Sequence, residues 1–140
     1  MSFREKSAWI TLLTVLVCFG SYYAGLATGL IDPLGFQSFH LGLIAIIGVV
    51  VLQVGLRLVA MLQNPAEART PRDERERMIE AKSHTVGYYL MMIGMIAVVI
   101  TTHLPLHPRF MVTVYFGMGV VIVSTMAVAI AQIVMFRRGA

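Results

Sequence analysis

Four long apolar stretches separated by short polar breaks organise this chain: Ala8–Ile31, Leu41–Leu62, His84–Leu104 and Phe110–Phe136. Each approaches or exceeds the roughly 20 residues that an α-helix, rising about 1.5 Å per residue, needs to cross a hydrocarbon core about 30 Å thick. Lipid offers no partner to a bare peptide group, so such stretches must satisfy their backbones internally, as helices. The breaks carry proline: Asp32-Pro33 with Gly35, Asn64-Pro65, and the segment from Leu104 to Arg109 with Pro105 and Pro108. Proline lacks the amide donor and pushes the residue before it out of the helical region. The pattern predicts an all-α integral membrane protein: one membrane domain over 1–140, four transmembrane helices, an antiparallel bundle of two hairpins, and a third helix extended into the cytoplasm. The uncharged run Ala8–Ile31 is 24 residues, longer than a signal-peptide core of about 7 to 15 residues, and is expected to be a retained anchor. Val17 precedes Cys18 where a lipoprotein signal needs a small residue.

Composition agrees. Hydrophobic residues make up 58% of the chain and charged residues 13%, too little charge to coat a soluble domain. Ten of the 18 charges lie between Glu67 and Lys82, five basic and five acidic. The single cysteine rules out an intrachain disulfide framework. Lys and Arg mark the cytoplasmic side of short loops. Arg4 and Lys6, the connector 64–83 with Arg69, Arg72, Arg75, Arg77 and Lys82, and the tail with Arg137 and Arg138 fall on one side, against Arg109 on the other. Both termini are therefore expected on the cytoplasmic side. Positive charge flanking the crossings accounts for the net +4 without nucleic acid as a partner.

Within the connector, Thr70-Pro71-Arg72-Asp73 reads as a helix start, with Thr70 as N-cap and Pro71 at the first helical position. Arg72 with Glu76 and Asp73 with Arg77 are opposite charges at i,i+4. The helix is expected to run from about Pro71 through the third span, offering Arg72, Arg75, Glu76 and Arg77 as a surface for a partner. The run Asp73-Glu74-Arg75-Glu76-Arg77, continuing to Lys82 and into a span with Tyr88-Tyr89, resembles the charged juxtamembrane segment of small bacterial four-span inner-membrane proteins of uncharacterised function. That resemblance covers about 20 residues. It implies an inner-membrane location and no catalytic residues.

Polar groups inside a membrane are costly and mark candidate sites. Gln53 and Arg57 share a face of the second span, Glu80, His84 and Tyr88 form an i,i+4,i+8 stripe entering the third, and Gln132 lies at comparable depth in the fourth. Folded together, Arg57 can pair with Glu80 while His84 and Tyr88 continue a hydrogen-bonded relay towards Gln53 or Gln132; the favoured reading is that Arg57 snorkels to the headgroups while the amides and tyrosine join helices by hydrogen bonds. On the other side lie Asp32, His40, His103 and His107, which offer imidazoles to a metal or haem. Interfacial histidines are more commonly boundary residues, and no cofactor is expected. Met91, Met92 and Met95 and the pairs Tyr22-Tyr23 and Tyr88-Tyr89 read as packing residues. Ser21, Gly25 and Gly29 recur every four residues, and Gly48 with Gly55 and Gly87 with Gly94 every seven, which suits close helix packing within the chain or between copies. Glu5-Lys6-Ser7 before the first span echoes Glu80 to Ser83 before the third, hinting at two fused hairpins.

No nucleophile-and-base pair, phosphate loop or metalloprotease motif is present, so the sequence supports no enzyme. The leading expectation is an interaction, scaffolding or regulatory component of a membrane assembly, with lipid, itself or another membrane protein as partners. A small transporter or channel using the cytoplasmic-side polar stripe is the alternative, and a metal or haem redox subunit the third.

Overall fold

The computed structural model describes residues 3–33, 35–63, 65, 71, 73–103 and 110–138. They form four helices: α1 (Phe3–Ala27), α2 (Phe36–Gln63), α3 (Glu74–His103) and α4 (Phe110–Arg138). All four are long and apolar enough to cross a membrane, which fits a multi-pass membrane protein, and the described residues contain no strand.

Helix ends differ from the sequence reading for local reasons. α1 stops at Ala27, four residues before the expected end at Ile31, because Gly29 turns the chain at φ 74°, a conformation open to glycine and costly for residues with a Cβ. Its last carbonyls are taken up by the amides of Thr28, Gly29 and Ile31. α2 begins at Phe36 rather than Leu41. The third helix begins at Glu74 rather than Pro71, and Asp73 does the capping. The Asp73 carboxylate accepts from the Glu74 amide at 2.7 Å, and its carbonyl opens the ladder by accepting from Arg77 N at 3.0 Å. Asp73 therefore does not form the side-chain pair with Arg77; Thr70 and Arg72 lie outside the described residues.

α1 is central. Val15, Phe19 and Tyr22 are buried along one stripe of it, against Leu41, Ala45 and Val49 of α2 on one side and Tyr115, Met118, Ile122 and Met126 of α4 on the other. α4 in turn packs extensively on α3. The spatial order is thus α2, α1, α4, α3. Among the described residues α2 and α3, the pair that would close a square, make no comparable contact. The four helices thus lie in an open arc. Its two hairpins, α1–α2 and α3–α4, join through α1 and α4.

The glycines explain which seams are close. A methyl group at Gly87 would overlap Val128 and approach the Ser124 carbonyl at 3.4 Å, and one at Gly94 would lie 2.5 Å from Val120 Cγ1. Buried Ser83 continues that stripe, so α3 and α4 approach backbone to backbone. Gly48 meets Cys18 at an ordinary 3.6 Å, whereas Gly55 and Gly29 face open space and Gly25 is covered by Ile31 of its own segment. Ser21 is exposed and bonds back to the Cys18 carbonyl at 3.0 Å. The expected packing stripe Ser21, Gly25, Gly29 is therefore not a helix seam within this chain, and neither is Gly55. The turn has claimed the last two members of that stripe.

Ion pairs gather both described chain ends and the start of α3 at one end of the molecule. Arg4 Nε donates to Glu76 Oε2 at 2.6 Å and Arg137 Nε to Glu5 Oε1 at 3.2 Å. The Arg137 guanidinium also lies 5.5 Å over the Trp9 ring, within cation–π range. At the opposite end Tyr22 donates to the Ser38 carbonyl (3.1 Å), Tyr115 to the Pro33 carbonyl (2.8 Å) and Tyr23 to the Tyr115 carbonyl (2.7 Å). Ser38 Oγ touches the Tyr115 hydroxyl and bonds the Gly35 carbonyl at 2.7 Å. This network ties the α1–α2 turn to α4.

Candidate functional site, a polar groove inside the arc

The concave side of the arc, at the end bearing the ion pairs, encloses a cavity of about 760 Å³. It is built in layers by helical register. At the mouth stand the Arg4–Glu76 pair with Phe3 and Phe136; one turn in come Ser7, Glu80 and Gln132; next, Thr11, Arg57 and His84; then Tyr88 with Thr125. Val128 lies beside Gly87, level with His84 and Tyr88, and Met91 and Val121 supply the deepest apolar lining. Gly87, the residue that lets α3 lie against α4, lines the same space.

Five of the six polar residues singled out from sequence thus meet in one groove: Arg57, Glu80, His84, Tyr88 and Gln132. Gln53 does not line it. Their convergence follows from chain geometry, since residues four apart on α3 share a face and α4 runs antiparallel beside it. Of the arrangements open to Arg57 from the sequence, the ion pair with Glu80 is not the contact that forms. Arg57 Nη2 donates to Thr11 Oγ1 at 2.8 Å, and Thr11 Oγ1 donates to the Ser7 carbonyl at 3.1 Å. α2 is held against α1, so its guanidinium meets the α1 hydroxyl first. Glu76, read as part of a docking surface, is already engaged by Arg4. Arg75 and Arg77 are exposed beside it.

The groove's hydroxyls on α4 are internally spent: Ser124 and Thr125 donate to the Val120 and Val121 carbonyls, both at 2.8 Å. Among the described residues, His84, Tyr88 and Gln132 have no hydrogen-bond partner, and Arg57 has only Thr11. The cavity therefore presents donors from three helices around a space that no side chain fills.

At the opposite end the described histidines are not brought together. His40 Nδ1 contacts the Phe36 carbonyl at 3.0 Å and His103 Nδ1 the Val99 carbonyl at 2.9 Å, each on its own helix. α2 and α3 stand at the two extremes of the arc, which separates these histidines. Among the described residues no three His, Cys, Asp or Glu side chains are grouped to hold a metal; Asp32 lies exposed in the turn and His107 lies outside those residues. Sequence reasoning missed Ser38 and Tyr115. The only signal was the Tyr22-Tyr23 pair near a helix end, whose hydroxyls needed acceptors. Comparison with known protein families, curated proteins and solved structures finds no match.

Proposed function

We propose that the chain is a non-catalytic, multi-pass component of the bacterial inner membrane, with both termini cytoplasmic, that works by binding in the groove of the arc as an interaction or regulatory subunit. The observation that carries this reading is the convergence of Arg57, His84, Tyr88 and Gln132 on one open cavity, with hydrogen-bonding capacity that the described chain leaves unused. A cavity of about 760 Å³ lies within the roughly 300–1,000 Å³ typical of small-molecule sites. Unused donors at membrane depth are costly, so an occupant that accepts from them is favoured. Docking through the charged start of α3 is the weaker form of the interaction reading, because Glu76 serves the α1–α3 tie.

The transporter reading draws on the same polar lining, but that lining ends near Thr125, gives way to Met91 and Val121, and faces a tyrosine network at the far end. A dead-end groove suits retention better than passage. A photo-crosslinking residue at position 88 in the groove is expected to give a discrete adduct in membranes, and one at position 51, on the exposed face of α2, only diffuse lipid background. The same pattern at both positions would overturn the reading.

A further inference from the structure

We infer that the occupant of the groove is an amphiphile with an anionic phosphate or carboxylate head, seated on Arg57 with its chain against Met91 and Val121; this rests on the binding reading above. The argument is one of charge and layering. Of the acidic groups lining the cavity, Glu76 is paired with Arg4 at the mouth, and Glu80, one turn from Arg57, has an interaction of its own. Arg57, a turn further in, spends one donor on a neutral hydroxyl. A guanidinium carries five N–H donors in a planar fork that matches phosphate and carboxylate, and it is always charged. Among the described residues no carboxylate is ion-paired with it. The groups around it, Tyr88 O–H, the Gln132 amide and the His84 ring, can all donate, so the layer suits an acceptor-rich head. Beneath that layer Met91 and Val121 present apolar wall, and the Ser124 and Thr125 hydroxyls are spent on their own helix, which suits a hydrocarbon chain and not a free ion.

The test uses full-length protein in a neutral detergent, with native mass spectrometry counting bound dioleoyl-phosphatidylglycerol against dioleoyl-phosphatidylcholine, and inorganic phosphate as competitor. Wild type should retain the anionic lipid at least about tenfold better, Arg57→Gln should lose that preference, and Arg57→Lys should keep part of it, because a point charge replaces the fork. Arg77→Gln, exposed beyond the mouth, should match wild type. Competition by millimolar phosphate would point to a free anion and overturn the amphiphile; equal retention of both lipids, or an unchanged Arg57→Gln, would overturn the anionic head. A maleimide arm separates this from the reading beneath it. With Ser7→Cys in a Cys18→Ala background, labelling slowed in membranes but indifferent to the anionic lipid leaves the groove a binding site with another occupant, whereas fast labelling in every condition overturns both.

Discussion

Gly87 and Gly55 have the same residue type and the same seven-residue recurrence, yet only one is a seam. A Cβ at Gly87 collides with Val128, while at Gly55 it meets nothing within 4 Å. Gly87→Ala should therefore destabilise the protein in detergent by about 1 to 3 kcal/mol through overpacking. Gly55→Ala should be neutral or stabilising by up to about 1 kcal/mol, since alanine is the better helix former. Thermal unfolding of the two variants side by side checks this, and equal losses would contradict the packing assigned here. Gly29 is set apart for a different reason, its φ of 74°. Gly29→Ala should cost about 1 to 2 kcal/mol by straining the turn while leaving the mass of the particle in detergent unchanged. A shift to a smaller particle would instead show that the stripe joins copies. Sequence spacing does not separate these glycines, because it records which residues share a helix face and not what stands opposite.

Among elements, the decisive fact is that α1 and α4 occupy the middle of the arc. α1 buries one stripe against both neighbours, whereas the most apolar stretch of α2 contains no buried residue. α2 is the more hydrophobic helix and the less buried one, a reversal of the rule for water-soluble proteins that is natural where the solvent is lipid. Among the described residues α1 is tied to α3 by the pair Arg4–Glu76, with side chains 27% and 25% exposed. Arg4→Glu should weaken the fold, and the exchanged variant Arg4→Glu with Glu76→Arg should recover it. The coupling in a double-mutant cycle is expected at roughly 0.2 to 1 kcal/mol, falling with salt. A coupling of zero would mean that packing along α4 alone positions α3. The helices were legible as apolar runs; their ends were less so, since Gly29 and Asp73 act through backbone geometry that hydropathy does not record.

At the scale of the molecule, the ion pairs Arg137–Glu5 and Arg4–Glu76 place both described chain ends and the start of α3 at one end, as the proposed topology of four crossings requires. A fluorescent reporter fused after Arg138 should be active on the cytoplasmic side and alkaline phosphatase there inactive, with the reverse in the turn at 32–35. The opposite result would invert the proposed orientation. The groove depends on the arc being open: were α2 packed against α3, Arg57 and the His84 face would be pressed together instead of lining a cavity. Sequence alone determined the four apolar helices, their boundaries to within a few residues, and the polar positions that share each helix face, because length, hydropathy and the 3.6-residue repeat are properties of single segments. Only the tertiary structure decided the order of helices, the partner of Arg57, the seam at Gly87 and the tyrosine network around Ser38. Each of these depends on which surfaces meet, and in lipid one apolar helix face looks to hydropathy much like another.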